Sequence, residues 1–257
     1  MMSEIHALVE KGGIKGTKTR APFFVVDAAL SFEEATSYEL SILNGDAGDG
    51  TRSGGMVWSM PKGLVVPKSF AIYEKFESAA TQMGEAGWPL HLRQTGGDLT
   101  PQGPGVINLS YVFSHPADAG LSITAAYHRL CDPIIGFLKD AYGLESYCSE
   151  VNGAFCDGKF NVVVDGIKIA GTAQKWRPYR AADGSKHIAV LAHAALIADA
   201  DVSALIEASN RFYKLCDVDR QIDVACQTSL ARLIPTGRFD RAEFMAGLCQ
   251  ALVEASE

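Results

Sequence analysis

This sequence lacks basic clusters, a secretory leader and long apolar runs. It has 23 Lys and Arg residues against 30 Asp and Glu residues, for a net charge of −7. That balance removes the electrostatic basis for binding nucleic acid or an anionic membrane surface, so neither partner is expected. The start, MMSEIHALVEKGG, has no apolar signal-peptide core, and the longest apolar stretch, residues 188–198, is too short to span a bilayer. A cytoplasmic location is therefore expected.

Cysteine spacing typical of metal or redox motifs is also missing. None of the six cysteines forms a CxxC pair, and no Cys/His pair has zinc-ligand spacing. Such scattered cysteines are typical of reduced thiols in a cytosolic protein, most of them small core residues. No metal site is expected.

The composition is that of a globular α/β protein. The chain has 257 residues, of which 47% are hydrophobic and 21% charged, so material for a core is ample. Length alone allows one large domain or two small ones. Residues 1–21 are rich in Gly and Lys with weak periodicity, and a flexible N-terminal arm is expected there.

Beyond that arm, short apolar strands alternate with amphipathic helices. Ser31 and Glu34 indicate a capping box at the first helix, and Asn44-Gly45 indicates its end. Pro133 is expected to kink or split the third helix. Helices are predicted at residues 31–43, 69–83, 122–141, 201–215 and 239–254. Strands are predicted at residues 23–26, 56–59, 64–66, 88–92, 144–151 and 187–198.

Residues 152–177 contain a β-hairpin that the chemistry of its residues predicts. Residues 160–164 are β-branched and aromatic, and residues 167–173 alternate large apolar with small or polar side chains. Asp165-Gly166 between them is typical of a two-residue type I′ turn. The expected pairs are Val164 with Ile167, Val163 with Lys168, Val162 with Ile169 and Asn161 with Ala170.

The two faces of this hairpin differ in character. One face is expected to pack in the core, and the other holds a single ammonium among small side chains, which leaves room for a ligand. Considered alone, the hairpin favours an exposed edge face with a solvated lysine. The core face comprises Val162, Val164, Ile167 and Ile169. The other face comprises Asn161, Lys168, Ala170, Thr172 and Gln174.

A second informative segment, RQTGGDLTPQGPGVINLS at residues 93–110, is rich in glycine. Four glycines and two prolines indicate a constrained loop between two apolar strands. Glycine lets backbone N–H groups approach a ligand closely, and such nests bind carboxylate or phosphate oxygens. A glycine-rich loop alone is more often simply a turn.

Together the two segments resemble the lipoate–protein ligase and octanoyltransferase family, relatives of biotin ligases. GIKIAGTAQ matches the family's K-x-x-G-x-A pattern at Lys168, Gly171 and Ala173. The glycine-rich segment matches R-R-x-(S/T)-G-G and a following N-L-x-(S/T) strand at Arg93, Thr95, Gly96, Gly97, Gly105, Asn108, Leu109 and Ser110. HAALI, residues 193–197, matches a further H-G-x-(I/L)-L pattern in part.

The resemblance spans residues 30–250 and implies a fold. It implies one biotin/lipoate protein ligase-like catalytic domain over residues 22–257, of the α/β (α+β) class. The sheet would be mostly antiparallel and flanked by helices, with the glycine-rich segment and the hairpin lining one acyl tunnel.

The resemblance also implies a set of site residues. Cys156 would be the nucleophile, and Lys168 would contact the acyl carbonyl. His193 joins the substrate-binding set, although a lone His on an apolar strand favours a hydrogen-bonded core residue. A free cysteine is ordinarily an inert buried thiol, but the glycine-bounded setting FCDG argues against that for Cys156. The implied substrate-binding residues are Arg93, Thr95, Gly96, Gly97, Gly105, Asn108, Gly171, Thr172, Ala173 and His193.

Three functions remain open at this point. The first is an octanoyl- or lipoyltransferase that takes a medium acyl chain from an acyl carrier protein or a lipoyl-domain protein and passes it through Cys156 to a lipoyl-domain lysine. It needs no tightly bound cofactor, with lipoate or octanoate as substrate group. The second is an ATP- and Mg-dependent lipoate–protein ligase. The third is a catalytically silent acyl-binding member, favoured if side chains fill the tunnel.

Two departures from the family pattern favour the transferase. Leu92 replaces the first arginine of the pair, and Asp98 replaces the third glycine of the ligases. An aspartate there would repel the phosphate of an acyl-adenylate.

The transferase places a geometric demand on Cys156. If strand 160–164 ran straight back, Cys156 would lie roughly 23 Å along the ladder from the partner of Lys168. An ammonium influences a thiol only within ~4–6 Å. Cys156 is therefore expected on a loop that folds back over the hairpin, with the turn taken at Asp157-Gly158 and a positive φ at Gly158.

Overall fold

The computed structural model describes residues 23–46 and 52–256. The predicted flexible arm, residues 1–21, lies outside these ranges. Within them, the strands are β1 Phe23–Val25, β2 Gly54–Trp58, β3 Gly63–Pro67, β4 Leu90–Arg93, β5 Thr100–Gln102, β6 Val106–Pro116, β7 Ser146–Ser149, β8 Asn161–Val164, β9 Ile167–Arg180 and β10 Lys186–Ile197. The α-helices are α1 Phe32–Asn44, α2 Phe76–Glu85, α3 Ile123–Tyr142, α4 Val202–Leu215, α5 Leu230–Leu233 and α6 Arg241–Ser256.

The main sheet of the described residues has the order β1-β2-β6-β10-β9-β8-β7. Its pairings are antiparallel except for β1 with β2. Helices α3 and α6 pack on the sheet and enclose the largest core cluster, which includes Leu130, Ile134, Phe244 and Leu248. The predicted architecture, a mostly antiparallel sheet flanked by helices, is confirmed.

A second, three-stranded sheet with the order β4-β3-β5 was not predicted. Its strand β5 falls inside the segment that composition indicated to be a loop. The sequence of β5 is only Thr-Pro-Gln, and proline is disfavoured within a sheet. β5 tolerates Pro101 because it is an edge strand that pairs with β3 alone. This small sheet turns the glycine-rich segment toward β9 and β10.

Helix α1 begins and ends where the sequence predicts. Ser31 Oγ accepts from the N–H of Glu34 at 3.2 Å, and Glu34 Oε2 accepts from the N–H of Ser31 at 2.8 Å, which completes the capping box. Gly45 closes the helix in the left-handed conformation, with φ of 78°. The position of α1 matters because its inner face borders the site described below.

Two helix predictions were wrong in detail. Residues 69–83 do not form one helix: a 3₁₀ turn, Lys68–Ile72, is separated from α2 by residues in extended or irregular conformation. Phe70 and Phe76 are nevertheless buried in one core cluster. Helix α3 is not split at Pro133 but continues through it, and the buried neighbours Leu130 and Ile134 pack it in the core there.

The central hairpin has the predicted turn. Asp165 and Gly166 have positive φ values of 50° and 78°, as a type I′ turn requires. The first two predicted pairs, Val164 with Ile167 and Val163 with Lys168, are both present.

A β-bulge shifts the register of the hairpin beyond Lys168, so the later predicted pairs were wrong. Val162 pairs with Ala170 rather than with Ile169. Ile169 and Ala170 both lie in the core as a result, and Ala170 is not on the ligand face. The bulge places Gly171 beside Lys168 instead, since a Cβ on Gly171 would lie 3.1 Å from Lys168 Nζ.

Candidate active site

A cavity of about 80 Å³, partly open to solvent, lies between helix α1, the glycine-rich segment and strands β9 and β10. Its walls include apolar side chains of Phe32, Leu40, Met60, Val65 and Leu191. Cys156 lies at this cavity together with residues from both sequence segments. The cavity therefore lies where the sequence predicts a tunnel, between the glycine-rich segment and the hairpin.

Cys156 lies on the loop between β7 and β8, as the transferase requires. Its own φ is 47°, a left-handed value that is uncommon for a residue with a Cβ. The positive φ was predicted at Gly158, where it does not occur. The Cys156 carbonyl accepts from Lys168 Nζ at 2.8 Å and from Asn161 Nδ2 at 3.0 Å. Two donors on one carbonyl hold this strained residue in place.

The residue before the cysteine anchors the loop in the core. Phe155 is 4% exposed and packs in the same core cluster as Phe70 and Phe76, together with Leu205 and Ile197. Its N–H donates to Gln227 Oε1 at 3.1 Å. Gln227 is itself buried and lies next to Lys168 in the fold. Gln227 is thus part of the site, although no sequence motif pointed to it.

Lys168 is buried rather than solvated, so the interpretation favoured by the hairpin alone was wrong. Its side chain is 2% exposed, and the ammonium donates to the carbonyls of Phe155 and Cys156. An ammonium has three donors, so one remains for a ligand. Burial lowers the pKa of Lys168 from 10.5 to about 8, although the nearby Cys156 and Asp157 act to raise it.

This lowered pKa predicts a pH dependence of stability. Between about pH 8 and pH 10.5 the unfolded chain keeps a Lys168 proton that the folded chain has released, so stability rises with pH there. The gain is about 3 kcal/mol across the window. Below pH 8 the cost of burying the charge is fully present. Urea unfolding of Cys156→Ser, which removes thiol titration, should therefore approach that of Cys156→Ser/Lys168→Met as pH rises. A constant difference between the two proteins would contradict the assignment.

The glycine-rich segment is folded around Arg93. The guanidinium donates through Nη1 to Thr100 Oγ1 at 2.9 Å and through Nη2 to the Asp98 carbonyl at 2.6 Å. Gly97, with φ of 101°, packs against it: a Cβ there would lie 2.8 Å from Arg93 Nη2 and 3.3 Å from Cys156 Sγ. Arg93 Nη2 and Cys156 Sγ therefore both lie within 3.3 Å of one point, the position that a Cβ at residue 97 would take. Gly97 lets the two segments meet at the cysteine.

Asp98 is not left as a free negative charge. Its carboxylate lies 2.7 Å from Arg220 Nη2 and accepts from the Tyr213 hydroxyl at 2.6 Å. Arg220 offsets the repulsion that the sequence alone predicted between Asp98 and a phosphate. Neither Arg220 nor Tyr213 was predicted, because both are far from Asp98 in sequence and belong to no motif.

A chain of polar groups crosses the wall of the cavity. Trp58 Nε1 donates to Ser110 Oγ at 2.9 Å, and Ser110 Oγ donates to Glu39 Oε1 at 2.5 Å. His193 Nδ1 lies 3.8 Å from Glu39 Oε1, and its Nε2 lies 3.3 Å from Thr95 Oγ1. His193 is thus a hydrogen-bonded residue and a cavity-lining residue at once. These polar groups are therefore partnered by one another rather than by a ligand.

The remaining predicted site residues divide between cavity and scaffold. Gly171, Thr172 and Ala173 line the cavity, as does Asn108, whose amide forms reciprocal hydrogen bonds of 2.9 and 3.0 Å with Gln102. Gly96 and Gly105 are not among the residues that line it. Gly105, with φ of 91°, packs on the backbone of Ala200, where a Cβ would lie 2.5 Å from the amide nitrogen. Its role in the structure is close backbone packing.

In the part of the chain that the structure describes, no three His, Cys, Asp or Glu side chains are placed to hold a metal ion. Of the helices described, none combines the length and apolar character needed to cross a bilayer.

Comparison with known sequences identifies one family. The profile of the lipoyl protein ligase A/B catalytic domain matches residues 36–252. An uncharacterized protein of Cupriavidus necator is 34% identical over 245 residues, which cover 90% of this chain and 95% of that protein. An octanoyl-[GcvH]:protein N-octanoyltransferase of Kyrpidia tusciae is 36% identical over 152 residues, covering 59% of this chain. The match spans 51% of that transferase, about half its length.

Solved structures share the fold. Lipoate-protein ligase A bound with ATP superposes with a TM-score of 0.67 at 16% identity, covering 93% of this chain and 86% of that one. A bipartite lipoate protein ligase of Thermoplasma acidophilum, studied with its E2 lipoyl domain, gives 0.63 at 16% identity, covering 94% and 84%. At these identities the likeness concerns the fold alone.

Proposed function

Because the chain belongs to the lipoyl protein ligase A/B catalytic domain family, we propose that it is an octanoyl- or lipoyltransferase that works through an acyl-Cys156 intermediate. The donor is a thioester on a carrier protein, and the acceptor is a lysine of a lipoyl-domain protein. Relatives named octanoyl-[GcvH]:protein N-octanoyltransferase support this choice. The T. acidophilum ligase, studied with an E2 lipoyl domain, supports a lipoyl domain as acceptor.

The observation that carries the proposal is that Cys156 lines the apolar cavity while its backbone carbonyl accepts a hydrogen bond from the Lys168 ammonium. The acyl chain lies in the cavity, with its carbonyl carbon at the thiol. The Cys156 thiolate attacks that carbon, and the bond to the donor sulfur breaks, so the donor leaves as a thiolate that takes up a proton. The free donor of Lys168 stabilises the oxyanion that forms.

The second half of the reaction regenerates the thiol. The acceptor's neutral lysine amine attacks the Cys156 thioester, an amide forms, and Cys156 leaves as the thiolate. The amine proton passes to solvent. Exchange between two thioesters is nearly neutral in energy, and amide formation from a thioester is downhill, so ATP is not needed. Splitting the transfer into two steps is the usual benefit of a covalent intermediate.

The ligase remains the second candidate, and one observation keeps it open. The ion pair of Asp98 with Arg220 leaves the glycine-rich segment less repulsive to phosphate than its sequence suggested. The absence of the first arginine, at Leu92, still argues against it. A silent acyl-binding member is not favoured, because a cysteine, Cys156, lines the apolar cavity.

A pyrophosphate exchange assay separates transferase from ligase. We expect no lipoate-dependent exchange between ATP and labelled pyrophosphate, because the site forms a thioester rather than an acyl-adenylate. A bacterial lipoate ligase assayed in parallel is the positive control. Robust exchange by this protein would make adenylation its chemistry and the ligase its function.

A further inference from the structure

Arg220 contacts the chain on both sides of the nucleophile. It lies in the connection between α4 and α5. Its Nη2 is 3.4 Å from the Ala154 carbonyl and 3.7 Å from Asp157 Oδ2, so it touches the residues that flank Phe155 and Cys156. The same nitrogen is 2.7 Å from Asp98 Oδ2. The Arg220 guanidinium therefore connects its own segment to the Cys156 loop and to the glycine-rich segment.

The partner of Arg220 is itself fixed. Asp98 Oδ1 accepts from the N–H of Leu99 at 2.7 Å and from the Tyr213 hydroxyl at 2.6 Å. The Asp98 carbonyl accepts from Arg93 Nη2 at 2.6 Å. Burial, followed by the charge of Asp98, raises the pKa of Tyr213, so this hydroxyl keeps its proton and donates at neutral pH. A carboxylate held in this way gives Arg220 one defined position.

The Cys156 loop is held by hydrogen bonds on its core side and by Arg220 on its outer side. Lys168, Asn161 and Gln227 hold it from the core side, through the carbonyl of Cys156 and both backbone groups of Phe155. On the outer side of the loop, Arg220 Nη2 lies within 4 Å of the Asp157 carboxylate. The positive φ of Cys156 is strained, and such a conformation persists only where the surroundings impose it.

We propose that Arg220 is a positioning residue, whose ion pair with Asp98 clamps the Cys156 loop onto the glycine-rich segment and so fixes the thiol against the acyl carbonyl. The proposal rests on the proposed function, in which Cys156 carries the acyl group. It also explains the departure at Asp98. The position that is a third glycine in the ligase pattern here supplies the anchor of the loop clamp.

The chain offers a matched control for an ion pair that only stabilises the fold. Arg241 Nη2 lies 2.7 Å from Asp199 Oδ2, the same separation as in the Arg220 pair. Arg241 begins α6, and Asp199 follows β10. Neither residue is among those that line the cavity. Arg241→Gln thus breaks an ion pair of equal length without touching the Cys156 loop.

The test compares Arg220→Gln, Arg220→Lys and Arg241→Gln by two readouts. The first is the alkylation rate of Cys156 with iodoacetamide, followed by peptide mass spectrometry, which needs no acyl substrate. The second is kcat and KM for octanoyl transfer from octanoyl-carrier protein. We expect Arg220→Gln to lower kcat roughly 10- to 100-fold, the effect of a misplacement near 1 Å, with KM for the donor unchanged. Its alkylation rate should also fall, and Arg220→Lys should recover most of both losses.

Arg241→Gln should leave both readouts as in the wild type. If Arg220→Gln and Arg241→Gln lose activity only in proportion to the unfolded fraction, the clamp is a stabilising ion pair and the proposal is wrong. If Arg220→Gln does not fold, Asp98→Asn takes its place, because Asn keeps an oxygen for Leu99 and Tyr213 while removing the charge. A wild-type alkylation rate in Asp98→Asn overturns the proposal. Should the wild type form no acyl-enzyme, the proposed function fails, and the alkylation comparison still decides the role of Arg220.

Discussion

Cys156→Ala is expected to abolish octanoyl transfer while the protein stays folded. The substitution removes Sγ, so no thioester forms, and the loss of kcat is on the order of 10⁴-fold or more, as for removal of other catalytic nucleophiles. The fold is retained because Lys168 and Asn161 bind the backbone carbonyl of residue 156, which alanine keeps. The measurement is the transfer rate to a lipoyl domain, followed by mass spectrometry.

Cys148→Ala is the matched control for that experiment. Cys148 is another half-buried free cysteine, on strand β7 away from the cavity. Its variant should transfer at the wild-type rate. If Cys156→Ala also transferred octanoate at the wild-type rate, Cys156 would be an inert thiol and the covalent mechanism would be wrong.

Lys168→Met is expected to slow acyl-enzyme formation by about 10²–10³-fold, the usual effect of removing one oxyanion donor. Lys168→Ala should be at least as slow, because it also loses the side-chain stem that fills the site. In Lys168→Met the rate of acyl-enzyme formation should fall while the stability of the fold does not. Replacing a buried ammonium by an apolar side chain of similar length removes the desolvation cost of the charge, so stability should be equal or higher.

Lys175→Met is the control for the loss of one positive charge beside the cavity. Lys175 lines the cavity but lies at its exposed rim, where its ammonium contacts Gln94. Acyl-enzyme formation should be close to the wild-type rate in this variant. An equal loss in both lysine variants would indicate a general electrostatic effect rather than a specific role of Lys168.

The parts of the site that are local in sequence were predictable. The Asp165-Gly166 turn sets the first pairs of the hairpin, and the capping box of Ser31 and Glu34 sets the start of α1, because each depends on residues within a few positions of one another. The need for Cys156 to leave the ladder also followed from strand geometry alone. The resemblance to the family's motifs then pointed to part of the cavity wall, including Arg93, Cys156 and Gly171.

The parts that depend on distant contacts were not predictable. The bulge at Ile169 follows from packing of both Ile169 and Ala170 in the core, which a pattern of alternation does not encode. Gln227 reaches Phe155 across 72 positions of sequence, and Tyr213 reaches Asp98 across 115. Without the fold, neither side chain differs from an ordinary polar residue of a loop or helix.

Asp98 shows how the two kinds of information combine. In the sequence it is a departure from the ligase pattern, and charge repulsion was the simplest consequence to draw. In the structure its carboxylate contacts Arg220, Tyr213 and the backbone of Leu99. The same residue thus becomes a link between the glycine-rich segment and the Cys156 loop.

One measurement tests the covalent transfer most directly. The purified protein is incubated with octanoyl-carrier protein without ATP, its intact mass is recorded, and a lipoyl-domain acceptor is then added. The mechanism predicts a mass increase of one octanoyl group located at Cys156, which disappears as the acceptor gains the same group on a lysine. An unmodified protein, with acceptor octanoylation that appears only when octanoate and ATP are supplied, would contradict the account and establish the ligase.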